Sequence, residues 1–266
     1  MNRFPRHLIF YSIGGLMAVV ISYFVLFPHV WRCQWIEFSD FKKITSTFYI
    51  SPDTPPKNLQ KAQSAMADAH KRISRLWGTP QQRATFILCE NTEQYRHYCN
   101  STEGAGCSLG TPWGQSFIVL NVEGLNTDVI AHEMCHAELF TRLGWWKTTR
   151  QIPQWFNEGL ALMVDYRFVP QTDSIQRHRS YKEECLYLSR GGQIALDLKD
   201  ISSMRGFFNG NESHVMLAYM TGATEVSRWL AAVGEAKVQI LIQQVAAGKP
   251  FEVVYKDLEQ TSRIRP

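Results

Sequence analysis

No run of lysine and arginine longer than two residues occurs anywhere in the 266-residue chain, and 28 basic against 24 acidic side chains leave a net charge of only +4. A clustered basic face, which nucleic-acid recognition needs, is therefore missing. Nothing repeats at a fixed period and no tract is of low complexity, which excludes solenoid and fibrous chains. Glycine (17) and proline (11) are at ordinary levels, and 45% of the residues are hydrophobic against 20% charged. That balance supports a packed core rather than a disordered tail.

Charge is also absent locally. Residues 8–27 form a 20-residue apolar run with no ionisable charge, preceded by Arg3 and Arg6 and closed by Pro28. As a helix it would match a hydrocarbon core of roughly 30 Å. The run is longer than the apolar stretch of a cleaved secretory signal and no A-x-A-like site follows it, so it reads as a retained signal-anchor. Positive charge lies on both flanks, with Arg32, Lys42 and Lys43 beyond the run, so orientation rests on the cysteines. Their even number, six, fits disulfides in an oxidising compartment, with Cys99 and Cys107 as the favoured local pair. The expectation is a single-pass membrane protein whose soluble part lies outside the cytoplasm.

The remainder divides into a juxtamembrane linker over residues 31–44, aromatic at Trp31, Trp35 and Phe38, and one domain over residues 45–266; residues 1–30 form the tail and anchor. Alternation predicts a strand over residues 45–50, the segments over 84–89 and 116–121 read as two further strands, and an irregular Gly-rich loop occupies 100–114. Apolar residues spaced by three and four predict a helix over 57–77 that stops at Gly78. N-cap chemistry at 126–128 and Gly144 bracket another, and Pro153 starts one that runs to about Asp165. Helical patterns return over 178–188 and 213–244. Strands come early and helices late, so the fold class is α+β.

The helix that ends at Gly144 contains His132-Glu133-Met134-Cys135-His136. Histidines at i and i+4 project from one face a turn apart, so both imidazoles can reach one metal ion. Glu133 is rotated about 100° from the first ligand and can reach a water on the metal's open position. Cys135 points away from both histidines and reads as a packing residue. A catalytic zinc takes three protein ligands and a water. Glu158, 22 residues beyond His136 in Trp155-Phe156-Asn157-Glu158-Gly159-Leu160-Ala161, supplies the third. Gly159 beside it leaves room for the two helices to approach closely.

These two segments together resemble the gluzincin metallopeptidases, in particular the peptidase MA-like family. Most of the soluble part is similar to that family's layout, and the stretch from Tyr219 through Trp229, Gly234 and Phe251 resembles its tail more loosely. The resemblance implies a zincin-like fold, one zinc ion per chain on His132, His136 and Glu158, Glu133 as general base, and a protein or peptide substrate. It also favours Tyr219 over His214 as the group that stabilises the oxyanion. The Gly-x-Met-Glu-Asn signature of the zinc aminopeptidases is absent. In thermolysin-like enzymes an Asp four residues after the ligand Glu orients a ligand His. Here Leu162 stands there, so the partner is expected from elsewhere, Asp165 being a turn too far along. The strand over 116–121 is expected to accept an extended substrate by β-augmentation. Two other readings share these residues: a zinc-binding docking module without activity, and a hydrolase of another amide such as a cell-wall linkage.

Overall fold

A computed structural model describes residues 6–99 and 104–263; Arg3 of the tail and residues 100–103 of the Gly-rich loop lie outside them. The order of elements is α1 (Arg6–Leu26), α2 (Pro28–Gln34), β1 (Lys42–Thr45), β2 (Phe48–Ile50), α3 (Pro56–Trp77), β3 (Thr85–Cys89), α4 (Thr92–Tyr98), β4 (Gly106–Gly110) and β5 (Ser116–Asn121). Helices follow: α5 (Thr127–Leu143), α6 (Trp145–Gln151), α7 (Gln154–Ala161), α8 (Ser174–Leu188), α9 (Met204–Phe208), α10 (Glu212–Val233), α11 (Lys237–Ala246) and α12 (Phe251–Arg263). The fold is mixed α+β.

The strands form one sheet in the order β1-β2-β3-β5-β4. Strands β2, β3 and β5 run parallel, and β1 and β4 lie antiparallel at its two edges. Successive side chains point to opposite faces. On one face Phe48, Phe86, Leu88, Ile118 and Leu120 join a core shared with α3 and α5. On the other, Tyr49, Ile87, Phe117 and Val119 cover Cys33, Ile36, Tyr95 and Tyr98 from α2, α4 and the turn after α2. The segment expected as a linker thus carries side chains buried on the sheet.

Helix α3 packs through Ala62, Ala65, Ala69, Ile73 and Leu76, the spacing the sequence predicts. Helix α5 is capped by Asn126, whose Oδ1 accepts the Val129 N–H at 2.9 Å. It is buried along almost its whole length, between the sheet, α3 and the later helices. The His132–His136 segment therefore sits on a helix with little freedom to move.

Four boundaries differ from the sequence reading. The strand over 45–50 is a hairpin, with Thr47 in the reversal between β1 and β2. The Gly-rich loop contains β4, an edge strand paired along its length with β5. Helix α7 ends at Ala161, because Met163 and Val164 donate to carbonyls only three residues back and tighten the chain into a turn. The last long helix breaks at Gly234, which takes a left-handed φ of 85°.

Gly159 does permit a close helix crossing, but the partner is α10 rather than α5. A Cβ at Gly159 would lie 2.5 Å from the Gly222 carbonyl oxygen, and one at Gly222 would lie 2.6 Å from that of Trp155. The two backbones touch, and neither can retreat without shifting Glu158.

A helix covers most of the apolar run, but among the described residues no single helix is long and apolar enough to cross a membrane. Ile13–Leu26 together with Pro28–Gln34 meets that requirement as a pair bent by 95°. Pro28, which has no N–H to continue the ladder, stands at the break.

Gly159→Ala is expected to destabilise the domain by about 1–3 kcal/mol through overpacking of the α7–α10 crossing. Chemical denaturation of the parent and the variant measures this, and an unchanged midpoint would contradict the crossing.

Candidate metal centre

The i, i+4 spacing on α5 brings His132 and His136 side by side, their ring centroids 4.9 Å apart. Helix α7 presents Glu158 to both. Its Oε2 lies 3.2 Å from Nε2 of His132 and 3.5 Å from Nε2 of His136. One ligand atom from each residue falls within 4.8 Å of the other two, and all three side chains are buried. This group could hold a metal ion. Two imidazoles and one carboxylate form a nitrogen–oxygen donor set that suits zinc, as a three-ligand site with an open position.

Each of the three side chains is held from behind by a residue outside the converging group. His136 Nδ1 and Asn157 Oδ1 are 2.9 Å apart, so the ring donates there and keeps the Nε2 lone pair free. Gln154 Nε2 donates to Glu158 Oε1 at 2.6 Å and leaves Oε2 for the centre. His132 Nδ1 lies 3.3 Å from Asp165 Oδ2, at ion-pair distance but off the line of a good hydrogen bond. Asp165 is wholly buried and gripped by Arg167, whose Nη2 is 2.5 Å from Oδ2. Asp165 is thus not too far along the chain. The turn after Ala161 folds it back onto His132, a path that an unbroken helix would have denied it.

Burial disfavours charge on both imidazoles, but the carboxylates of Asp165 and Glu158 beside His132 outweigh it and hold that pKa well above the usual value. Glu158 raises His136 against burial in the same way. Burial would lift the Glu158 carboxyl, yet His136 and His132 hold it far below the usual carboxylate range. Asp165 is likewise held low, against burial, by His132 and Arg167. These carboxylates favour protonated imidazoles, and a proton on an imidazole competes with a metal ion for the same nitrogen. A divalent cation must displace such protons, so metal affinity falls as the solution becomes acidic.

Glu133 is not one of the three converging residues. It faces a cleft of about 780 Å³ that also exposes His132, His136 and Glu158. Ser108 on β4 reaches it, with Oγ 2.7 Å from Glu133 Oε2 and 2.9 Å from the Glu133 carbonyl oxygen. Gly106 permits this approach, since a Cβ there would lie 2.7 Å from Val129 Cγ1. Tyr219 lines the same cleft beside Phe208, its ring centroid 6.4 Å from that of His132. His214 instead turns to the Gly206 carbonyl, 2.9 Å away. Cys135 is fully buried and packs, as expected, and burial pushes its thiol up.

Cys99 and Cys107 form the expected disulfide, tying β4 to the end of α4 at the margin of the cleft. Cys33, Cys89, Cys135 and Cys185 are free thiols. The strand expected to accept substrate, β5, is paired on both sides and has no free edge; the edge that borders the cleft belongs to β4.

The sequence reading gives no role to Ser108, Gln154, Asn157 or Arg167, and sets Asp165 aside as a turn too far along. Gln154 stands four residues before Glu158 on the same helix, a spacing that would have flagged it. The others are joined to the ligands only by the tertiary fold. Compared with models of known protein families, with curated proteins and with solved structures, the chain finds no match.

Removing these supports should loosen metal without abolishing the fold. Asp165→Asn and Asn157→Ala are each expected to weaken zinc binding by about 10–100-fold. Competition with a chromophoric chelator measures this, and parent-like affinity in both variants would contradict the orienting roles.

Proposed function

We propose that the chain is a zinc metallopeptidase of the gluzincin type, holding one zinc per chain and hydrolysing peptide bonds in a protein or peptide. The observation that carries this reading is the convergence of His132, His136 and Glu158 beside a carboxylate, Glu133, that shares their cleft without joining them. A metal site built only to stabilise a fold closes around its ion with four ligands, whereas three ligands on an open cleft suit catalysis.

Zinc, when bound, polarises the scissile carbonyl and lowers the pKa of a water towards ~7. Glu133 takes the proton of the attacking water and delivers it to the leaving amine. The Ser108 hydroxyl, donating to Oε2, fixes the direction of that carboxylate. Asn157 and Asp165 keep the outer imidazole nitrogens engaged, so the rings face the reaction with their lone pairs. Tyr219, in the same cleft, donates its hydroxyl to the developing oxyanion.

The same reading makes α1 a membrane anchor and puts the domain outside the cytoplasm. Ile13, Met17, Val19, Ile21 and Val25 on α1 are exposed apolar side chains that the domain leaves uncovered. The Cys99–Cys107 disulfide suits an oxidising compartment.

Glu133→Gln is expected to keep a parent-like zinc content and lose peptide hydrolysis by at least about 10²-fold. Elemental mass spectrometry and a casein cleavage assay test the two halves together. A metal-free variant, or one as active as the parent, would contradict the assignment.

A further inference from the structure

The junction of α1 with the domain is built as a fixed joint. Tyr23 near the end of α1 donates its hydroxyl to Gln34 Oε1 on α2 at 2.5 Å. Gln34 Nε2 donates to Gln115 Oε1 at 2.6 Å, and the same oxygen accepts Trp113 Nε1–H at 3.0 Å. The Tyr23 and Trp113 rings are 5.6 Å apart. Trp31 Nε1 donates to the Phe24 carbonyl at 3.1 Å. On its other side α2 is fastened to α4, where Arg32 Nη1 donates to the His97 carbonyl at 3.0 Å.

This joint turns α2 at 95° to α1. If α1 stands upright in a bilayer, α2 lies flat along its surface. Trp31 on α2 and Trp35, the residue that caps its end, are four residues apart, whereas Cys33 between them lies about 200° around the helix from Trp31. Cys33 is buried in the domain, so the aromatic face points away from it. There Trp35 is 56% exposed and Phe38, its ring 5.5 Å away, is 79% exposed. Trp113, in the β4–β5 turn and against α1, is 58% exposed. Large amphipathic rings at the level where an apolar helix leaves the domain match the headgroup region of a bilayer.

We propose that Trp31, Trp35, Phe38 and Trp113 seat the domain in the bilayer interface, so that the cleft acts on polypeptide held close to the membrane. The inference rests on α1 being an anchor and, for its substrate half, on the peptidase reading. The reach follows from the chain. Ser108, which holds Glu133, is five residues from Trp113, and an extended strand rises about 3.4 Å per residue. The reacting carboxylate is therefore within roughly 20 Å of the seat. Strand β4 connects the two, one end in the membrane surface and the middle in the cleft wall. A membrane-tethered substrate would meet this cleft without leaving the surface, whereas a freely diffusing one gains nothing from the seat.

The full chain, reconstituted in vesicles of equal parts phosphatidylcholine and phosphatidylglycerol, tests both halves. Vesicle flotation reads the anchor, and quenching of tryptophan emission by a headgroup-level nitroxide lipid reads the seat. Both parent and a Trp35→Ser/Trp113→Ser variant should float, and the quenched fraction should fall about twofold or more in the variant. Equal quenching in the two would overturn the seat, and failure of the parent to float would overturn the anchor beneath it. Cross-links between copies at these positions would assign the face to self-association and overturn the lipid contact. For the substrate half, lipid-tethered peptides carry one cleavable segment at short or long spacing from the bilayer. The parent should prefer the short spacing and the variant should lose that preference. Equal cleavage of both by the parent would overturn the substrate class, and no cleavage of either would overturn the peptidase reading while leaving the quenching result standing.

Discussion

The contact between the Glu158 carboxylate and the two imidazoles of α5 is the constraint to which the rest of the centre conforms. A buried carboxylate is costly unless positive charge or metal compensates it, and the two imidazoles lie 3.2 and 3.5 Å from Glu158 Oε2. That arrangement demands two helices locked in register. Helix α5 is locked by near-complete burial, and α7 by the backbone crossing of Gly159 on Gly222. Helix α10 thus fixes the third ligand and also carries Tyr219 into the cleft. One packing decision positions both Glu158 in the candidate metal centre and Tyr219 in the cleft.

Around this contact, residues other than the three converging ones set the direction of each side chain. Asn157, Gln154 and Asp165 each occupy the atom their ligand does not need. Arg167 then holds Asp165 in place, donating from Nε to Oδ1 at 3.0 Å and from Nη2 to Oδ2 at 2.5 Å. Strand β4 does the same for Glu133 through Ser108, and the disulfide at Cys107 ties that strand to α4. An edge strand of Gly-Cys-Ser-Leu-Gly has little intrinsic strand preference, and the cross-link and the pairing with β5 together hold it.

How much of this was legible in the sequence follows from which interactions are local. His132 and His136 are a turn apart, so periodicity alone places both on one face, and Glu158 stands out because it starts the next apolar helix. Helix α3 was legible because its apolar residues repeat at the helical period, and strands β3 and β5 because each is a short unbroken apolar run. The hairpin of β1 and β2 was not, because Thr45-Ser46-Thr47 carries none of the glycine, asparagine or proline that marks a reversal. Leu162, Met163 and Val164 continue the apolar pattern of α7, which hid its end and with it the return of Asp165 to His132. Strand β4 was obscured by its glycines, one of which, Gly106, is there because α5 passes too close for a side chain.

Metal stoichiometry tests the central claim most directly. Elemental mass spectrometry on the purified full chain and on its Glu158→Ala variant reads whether three side chains from two helices bind one ion. The account predicts about one zinc per parent chain and a marked loss in the variant, with both chains folded. A folded parent without metal, or a variant that retains the parent's zinc, would contradict it.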